Sequence, residues 1–116
     1  MTARVTVLSL LAVANITAYQ VLALDATGKV KPATAATDKI IGVADDVDVP
    51  AGHSVGVLVD GACEVLLGGT VAAGDFITAN ADGLGVAGTG RVVGIALQAG
   101  VVGDIIDVLI QPGKVA

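Results

Sequence analysis

Leu24-Asp25-Ala26-Thr27-Gly28 returns further along the chain as Ala79-Asn80-Ala81-Asp82-Gly83, and the reading of that pair decides the fold. Each stretch starts its turn with a side chain that can bond the backbone just after it. Each ends in a glycine, which reaches positive φ without steric cost. A short hairpin joining two strands is expected at both places. From Gly28 to Gly83 the displacement is 55 positions. Working outward, Ile41-Gly42-Val43-Ala44 returns as Val93-Gly94-Ile95-Ala96, displaced by 52, and Gly52 with Val57-Leu58 returns as Gly103 with Val108-Leu109, displaced by 51. Order is kept while the offset shrinks, so the second copy has shorter loops. The expectation is one β domain over residues 1–116 made of two repeats, about 4–60 and about 61–113.

Short apolar runs punctuated by sixteen glycines and three prolines have the texture of an all-β protein. The runs are Val5–Leu11, Gln20–Leu24, Lys29–Lys31, Lys39–Ala44, Ser54–Val59, Cys63–Leu67, Asp75–Ala79, Arg91–Leu97 and Asp104–Ile110. They are rich in Val and Ile, and none keeps a helical period. A compact β-barrel or sandwich built from two pseudo-symmetric repeats is expected. A glycine inside a strand marks a bulge, a bend or a close approach. Gly42 and Gly94 occupy equivalent places, which predicts that their strands bend or meet at the pseudo-twofold.

Composition narrows the function. Hydrophobic residues are 54% of the chain but aromatics only 2%, so the core must be Val, Leu, Ile and Ala. Charged residues are only 15%, and mean hydropathy is +0.87, high for a domain that stands alone in water. Partners are expected to cover part of the apolar surface. A membrane is not the expected cover, because a spanning helix needs about 20 apolar residues and Val5–Ala14 is interrupted by Thr6 and Ser9. Arg4, that run and Ala12-Val13-Ala14 imitate a signal peptide. Yet Leu8–Leu11 lies opposite Cys63–Leu66 at the displacement of 55, which reads it as the first strand. A net charge of −5 with six Lys and Arg, unclustered, argues against nucleic acid as a partner.

No residue set reads as catalytic, cofactor-binding or metal-binding, so the chain is not expected to be an enzyme. His53 aligns with Asp104 just after a turn glycine, and reads as a polar residue opening a strand. Asp45, Asp46 and Asp48 lack the spacing and closing Glu of a calcium loop and read as charges on an edge strand, with a weak cation site between subunits left open. Cys63 stands in an apolar run as a small buried hydrophobe. Thr37-Asp38-Lys39-Ile40 resembles the Asp-Lys pair of lipoyl and biotinyl carrier domains, but Ile40 departs from them. A small β-barrel binding or carrier module, lipoyl-like or clip-type, is the alternative reading.

The stretch Ile16 to Val30, reading ITAYQVLALDATGKV, with Pro32-Ala33 and Ile41-Gly42-Val43-Ala44, resembles the capsid cement or head decoration proteins of tailed bacteriophages. Tyr19 stands where those proteins carry glycine, and Gly74 keeps it in the second copy. The resemblance implies a virion structural protein on the outer surface of the capsid, made in the host cytoplasm. It further implies a homo-oligomer, a trimer, that binds the major capsid protein and bridges its subunits to stabilise the head. Terminal segments, Met1–Arg4 or Lys114–Ala116, could add a strand to the capsid or to a neighbour.

Overall fold

The computed structural model describes residues 6–115. Every regular element in them is a strand: β1 (Thr6–Leu11), β2 (Val21–Leu24), β3 (Val30–Pro32), β4 (Lys39–Ala44), β5 (Ser54–Leu66), β6 (Phe76–Ala79), β7 (Gly85–Ala87), β8 (Gly90–Ala96) and β9 (Ile105–Val115). They form one antiparallel sheet in the order β3-β2-β4-β5-β9-β8-β6-β7, with β1 paired to β5 beside that path. The path ends at β3 and β7, each three residues long and too short to carry a closing ladder. The sheet is therefore open, and the closed barrel among the expectations is not formed.

The two hairpin turns are built as their residues require. Asp25 Oδ1 accepts the N–H of Thr27 at 2.8 Å and of Lys29 at 3.0 Å. Asn80 Oδ1 accepts those of Asp82 at 2.9 Å and Leu84 at 3.1 Å. The strand pairings recur at the same displacements. Leu10 faces Val55 and Leu11 faces Ser54, as Val65 faces Ile106 and Leu66 faces Ile105. Even the isolated bridges recur: Ala12–Val30 as Leu67–Gly85, and Ile16–Val49 as Val71–Gly100. β1 of the first half thus corresponds to the later part of β5, which serves the second half.

Three elements differ from the sequence expectation. β5 is one strand where two were expected; Gly61, at φ +88°, turns it without breaking it. β7 is not among the apolar runs, because Gly85 stands where β3 has Val30. A Cβ at Gly85 would come within 2.8 Å of Val65 Cγ1, so the position is kept small by its neighbour. β9 runs on to Val115, with Lys114 opposite Arg91 and Val115 opposite Gly90. Lys114 and Val115 are thereby engaged with their own chain, rather than held out for a partner. Met1–Arg4 and Ala116 lie outside the described residues.

The core contains no buried aromatic side chain among the described residues. Ile16, Leu22, Val30, Ala44, Val55 and Val57 cluster within the first half. The second cluster joins Val65, Leu67, Ile77, Val93, Ile106 and Val108 to Val21, Ala23, Ile40 and Val43 of the first half. Thr78 is buried among them and its Oγ1 donates to Arg91 O at 2.7 Å.

Gly42 and Gly94 mark close approach, but not of one to the other. A Cβ at Gly42 would run into the carbonyl oxygen of Leu58, and one at Gly94 into that of Leu109. Each glycine admits the backbone of the strand beside it, at a register shift of its own strand pairing. Gly42→Val and Gly94→Val should each cost about 1–3 kcal/mol by overpacking and lower Tm by about 5 °C or more. Differential scanning calorimetry checks this, and an unchanged Tm in both variants would contradict it.

Candidate functional site

Of the residues singled out in the sequence, His53, Lys39 and Asp48 stand apart, while Asp45 and Asp46 share a groove with Cys63. His53 is exposed in the turn before β5, and its backbone oxygen accepts the N–H of Ala12 at 3.0 Å. Asp104 O plays the same part for Leu67 N–H at 2.8 Å, so the place is a strand opening in both halves. Lys39 begins β4 opposite Leu24, within a strand ladder rather than at a hairpin tip. Asp45, Asp46 and Asp48 follow the end of β4 in the β4–β5 connection, not on an edge strand. Their roles there are local: Asp45 Oδ1 accepts Asp46 N–H at 2.8 Å, and Asp48 Oδ1 accepts Ala18 N–H at 2.9 Å. Among the described residues, no group of three His, Cys, Asp or Glu side chains is placed to hold a metal ion. No helix among them is long and apolar enough to cross a membrane.

What the fold does assemble is an open groove of about 420 Å³ where the halves meet. Asp45, Asp46, Glu64 and Asp107 line it, with Tyr19, Leu58 and Cys63. Burial pushes the Cys63 thiol up, and Asp45 and Asp60 add to the effect, so this sulfur is held away from the reactive thiolate. Desolvation also raises the Tyr19 phenol, with Glu64, Asp46 and Asp45 acting in the same direction. A phenol and thiol held protonated beside carboxylates supply no activated nucleophile.

Tyr19 is more telling for its backbone. It has φ +65°, the left-handed region, and Gly74 at the equivalent place has φ +91°. Its carbonyl accepts Leu66 N–H at 3.2 Å across the seam between the halves. The sequence signalled this place as a tyrosine where glycine belongs.

Apolar side chains stand on the surface instead of in a pocket. Val7, Leu8, Leu11 and Val13 are exposed in and after β1, Phe76 at the start of β6, and Leu97, Val101, Val102 and Ile105 at the β8–β9 end. Sequence reasoning implied such a surface from composition but could not locate it.

Fold and surface together define an open, all-β protein of paired half-sheets whose distinctive chemistry is apolar contact area. Its fold is similar to that of the N base of the head fibre gp8.5 in bacteriophage phi29. The TM-score is 0.70, with 23% sequence identity, covering 97% of this chain and 99% of that chain. No protein-family model and no curated protein matches the sequence.

Two outcomes follow from these local geometries. A non-glycine residue in the left-handed region costs roughly 1–2 kcal/mol, so Tyr19→Gly should hold or raise Tm. Tyr19→Val, β-branched at the same φ, should lower it by several degrees; the reverse order in calorimetry would contradict the assignment. The second outcome concerns pH. The hydrogen bond from the Thr27 hydroxyl holds the Asp25 carboxyl below the usual carboxylate range, and the Thr34 N–H does the same for Asp38. A depressed folded-state pKa stabilises above the unfolded value and is lost as pH falls through the folded one. Tm should therefore fall as pH drops below about 4, the ordinary carboxylate value. Asp25→Asn should reduce that fall while keeping the turn, because Asn80 already serves in this role; an unaltered acid limb would count against it.

Proposed function

We propose that this chain is a virion structural protein, a decoration or cement protein on the outer surface of the mature phage head. In this reading it is a homo-oligomer, a trimer, that binds the major capsid protein and bridges capsid subunits. It carries out no catalysis and needs no cofactor, nucleic acid or membrane. The observation that carries the reading is the likeness in fold, over nearly the whole of both chains, to the base of a phage head fibre. The cement-protein phrase from Ile16 to Ala44 supports it independently, as do the apolar surface and the acidic charge.

The matched pairings of the two halves support a duplicated unit, about 4–60 and 61–113, now specialised. Leu97, Val101, Val102 and Ile105 have Asp45, Pro50, Ala51 and Ser54 as counterparts, so the second half exposes more large apolar side chains at this end, where the first half exposes Val47. Val102 is 66% exposed, an unfavourable place for valine unless something covers it. This end is the part we assign to the capsid. Several such contacts made at once by one oligomer hold far more tightly than any single one.

Cosedimentation with purified heads of the phage that encodes the chain tests the reading. The wild-type chain should pellet with mature heads and raise the temperature at which they release DNA. Val102→Asp should weaken binding tenfold or more without altering oligomer mass. Failure of the wild-type chain to bind any form of the head would overturn the proposal.

A further inference from the structure

The two halves meet through unlike surfaces, and each half retains its own version of the surface that the other uses. On the first half, the receiving surface is the Tyr19–Val21 segment above Val43. On the second half, the inserted surface is the Asn80–Leu84 tip together with the β5 edge at Cys63 and Leu66. Val21 N–H donates to Gly83 O at 2.8 Å, Gln20 Nε2 to Asp82 O at 2.8 Å, and Leu66 N–H to Tyr19 O at 3.2 Å. Val21 and Val43 are fully buried there, and Cys63 is 5% exposed.

The counterparts of these residues lie bare. Phe76 corresponds to Val21 and is 42% exposed; Ile95 corresponds to Val43 and is half-buried. Among the described residues Phe76 N–H has no partner like that of Val21. On the other side, Leu8 corresponds to Cys63 and is 44% exposed. Gly28 has open space around it where its counterpart Gly83 touches Gln20. Among the described residues β1 pairs only with β5, leaving an apolar edge strand, which proteins normally cover. Among the described residues, one receiving face and one inserting edge are thus left uncovered.

The charged residues at these vacant places differ from those inside the chain. The bare receiving face has Asp75 where the first half has Gln20, and the bare tip has Lys29 where the second half has Leu84. Inside the chain Gln20 donates to Asp82 O; between chains Asp75, a carboxylate, cannot donate, so apolar contact and the backbone bond to Phe76 N–H carry the repeat. We propose that β1 and the Asp25–Lys29 tip of one copy dock on the Phe76–Ile95 face of the next copy, repeating between chains the contact made within each. Because the surfaces differ, the contact is head-to-tail. It closes into a ring of two or more copies, every face and edge filled, or else runs on as a filament. A trimer closed this way is a ring of six like units. The inference deepens the self-association in the function proposed above and rests on that part of it, not on attachment to a head.

Phe76→Asp blocks the receiving face and Leu8→Asp the inserting edge, so light scattering after size exclusion on the full chain tests the proposal. The wild-type chain should run as two or more copies and each variant as a single copy of 11.3 kDa. An equimolar mixture of the variants should give a species of two chains and no larger, since one good face and one good edge survive between them. Should Leu8→Asp fail to fold by circular dichroism, Leu8→Ser takes its place and should weaken association tenfold or more. Wild-type assembly retained by Phe76→Asp, no pairing in the mixture, or a wild-type chain that stays single would each overturn the proposal. A wild-type ring that ignores phage heads would instead refute the capsid reading and leave this contact standing.

Discussion

A carbonyl at the tip of one hairpin, Gly83 O, takes the N–H of Val21 and so fixes one half of the chain against the other. Much else in the structure depends on that seam. It places the second cluster's Val65 and Cys63 over Val21 and Val43, giving a chain without bulky core residues enough continuous apolar area to bury. Aromatic side chains contribute large contact areas, about 150–250 Å² each; a core of Val, Ala, Leu and Ile must gain its area by close approach. The glycines at 42 and 94 allow that approach, one neighbouring carbonyl apiece.

The seam is also where symmetry ends. The halves share turns, registers and bridges, yet Val21 is buried while Phe76 is exposed. A contact between unlike surfaces cannot satisfy both ends of a two-unit chain. It leaves one of each surface over. The groove at the seam holds four carboxylates beside a phenol and a thiol that their surroundings hold toward the protonated form.

The repeated turns were legible because each rests on one or two side chains: Asp25 and Asn80 as acceptors, Gly28 and Gly83 as the residues that follow. β4 was legible to its ends, Lys39–Ala44, since its apolar run is long and unbroken by turn residues. β7 was hidden by Gly85, a residue selected by Val65 above it and not by its own strand preference. The continuity of β5 was hidden because Asp60-Gly61 reads as a turn, although Gly61 only bends the strand. Gln111-Pro112-Gly113 reads as a breaker for the same reason. The location of the exposed surface was not legible at all. A sequence says that Phe76 and Leu8 are apolar, but only the packing of the halves reveals which apolar faces are already spent.

The central claim is that the contact inside one chain is the pattern for the contact between chains. An electron cryomicroscopy or crystal structure of the assembled wild-type protein tests it most directly. Superposing the seam within a chain on the interface between chains should bring Phe76 onto Val21 and the neighbouring copy's β1 onto the later part of β5. An assembly in which Phe76 and β1 both face solvent, or in which Phe76 meets its own symmetry mate, would contradict the account.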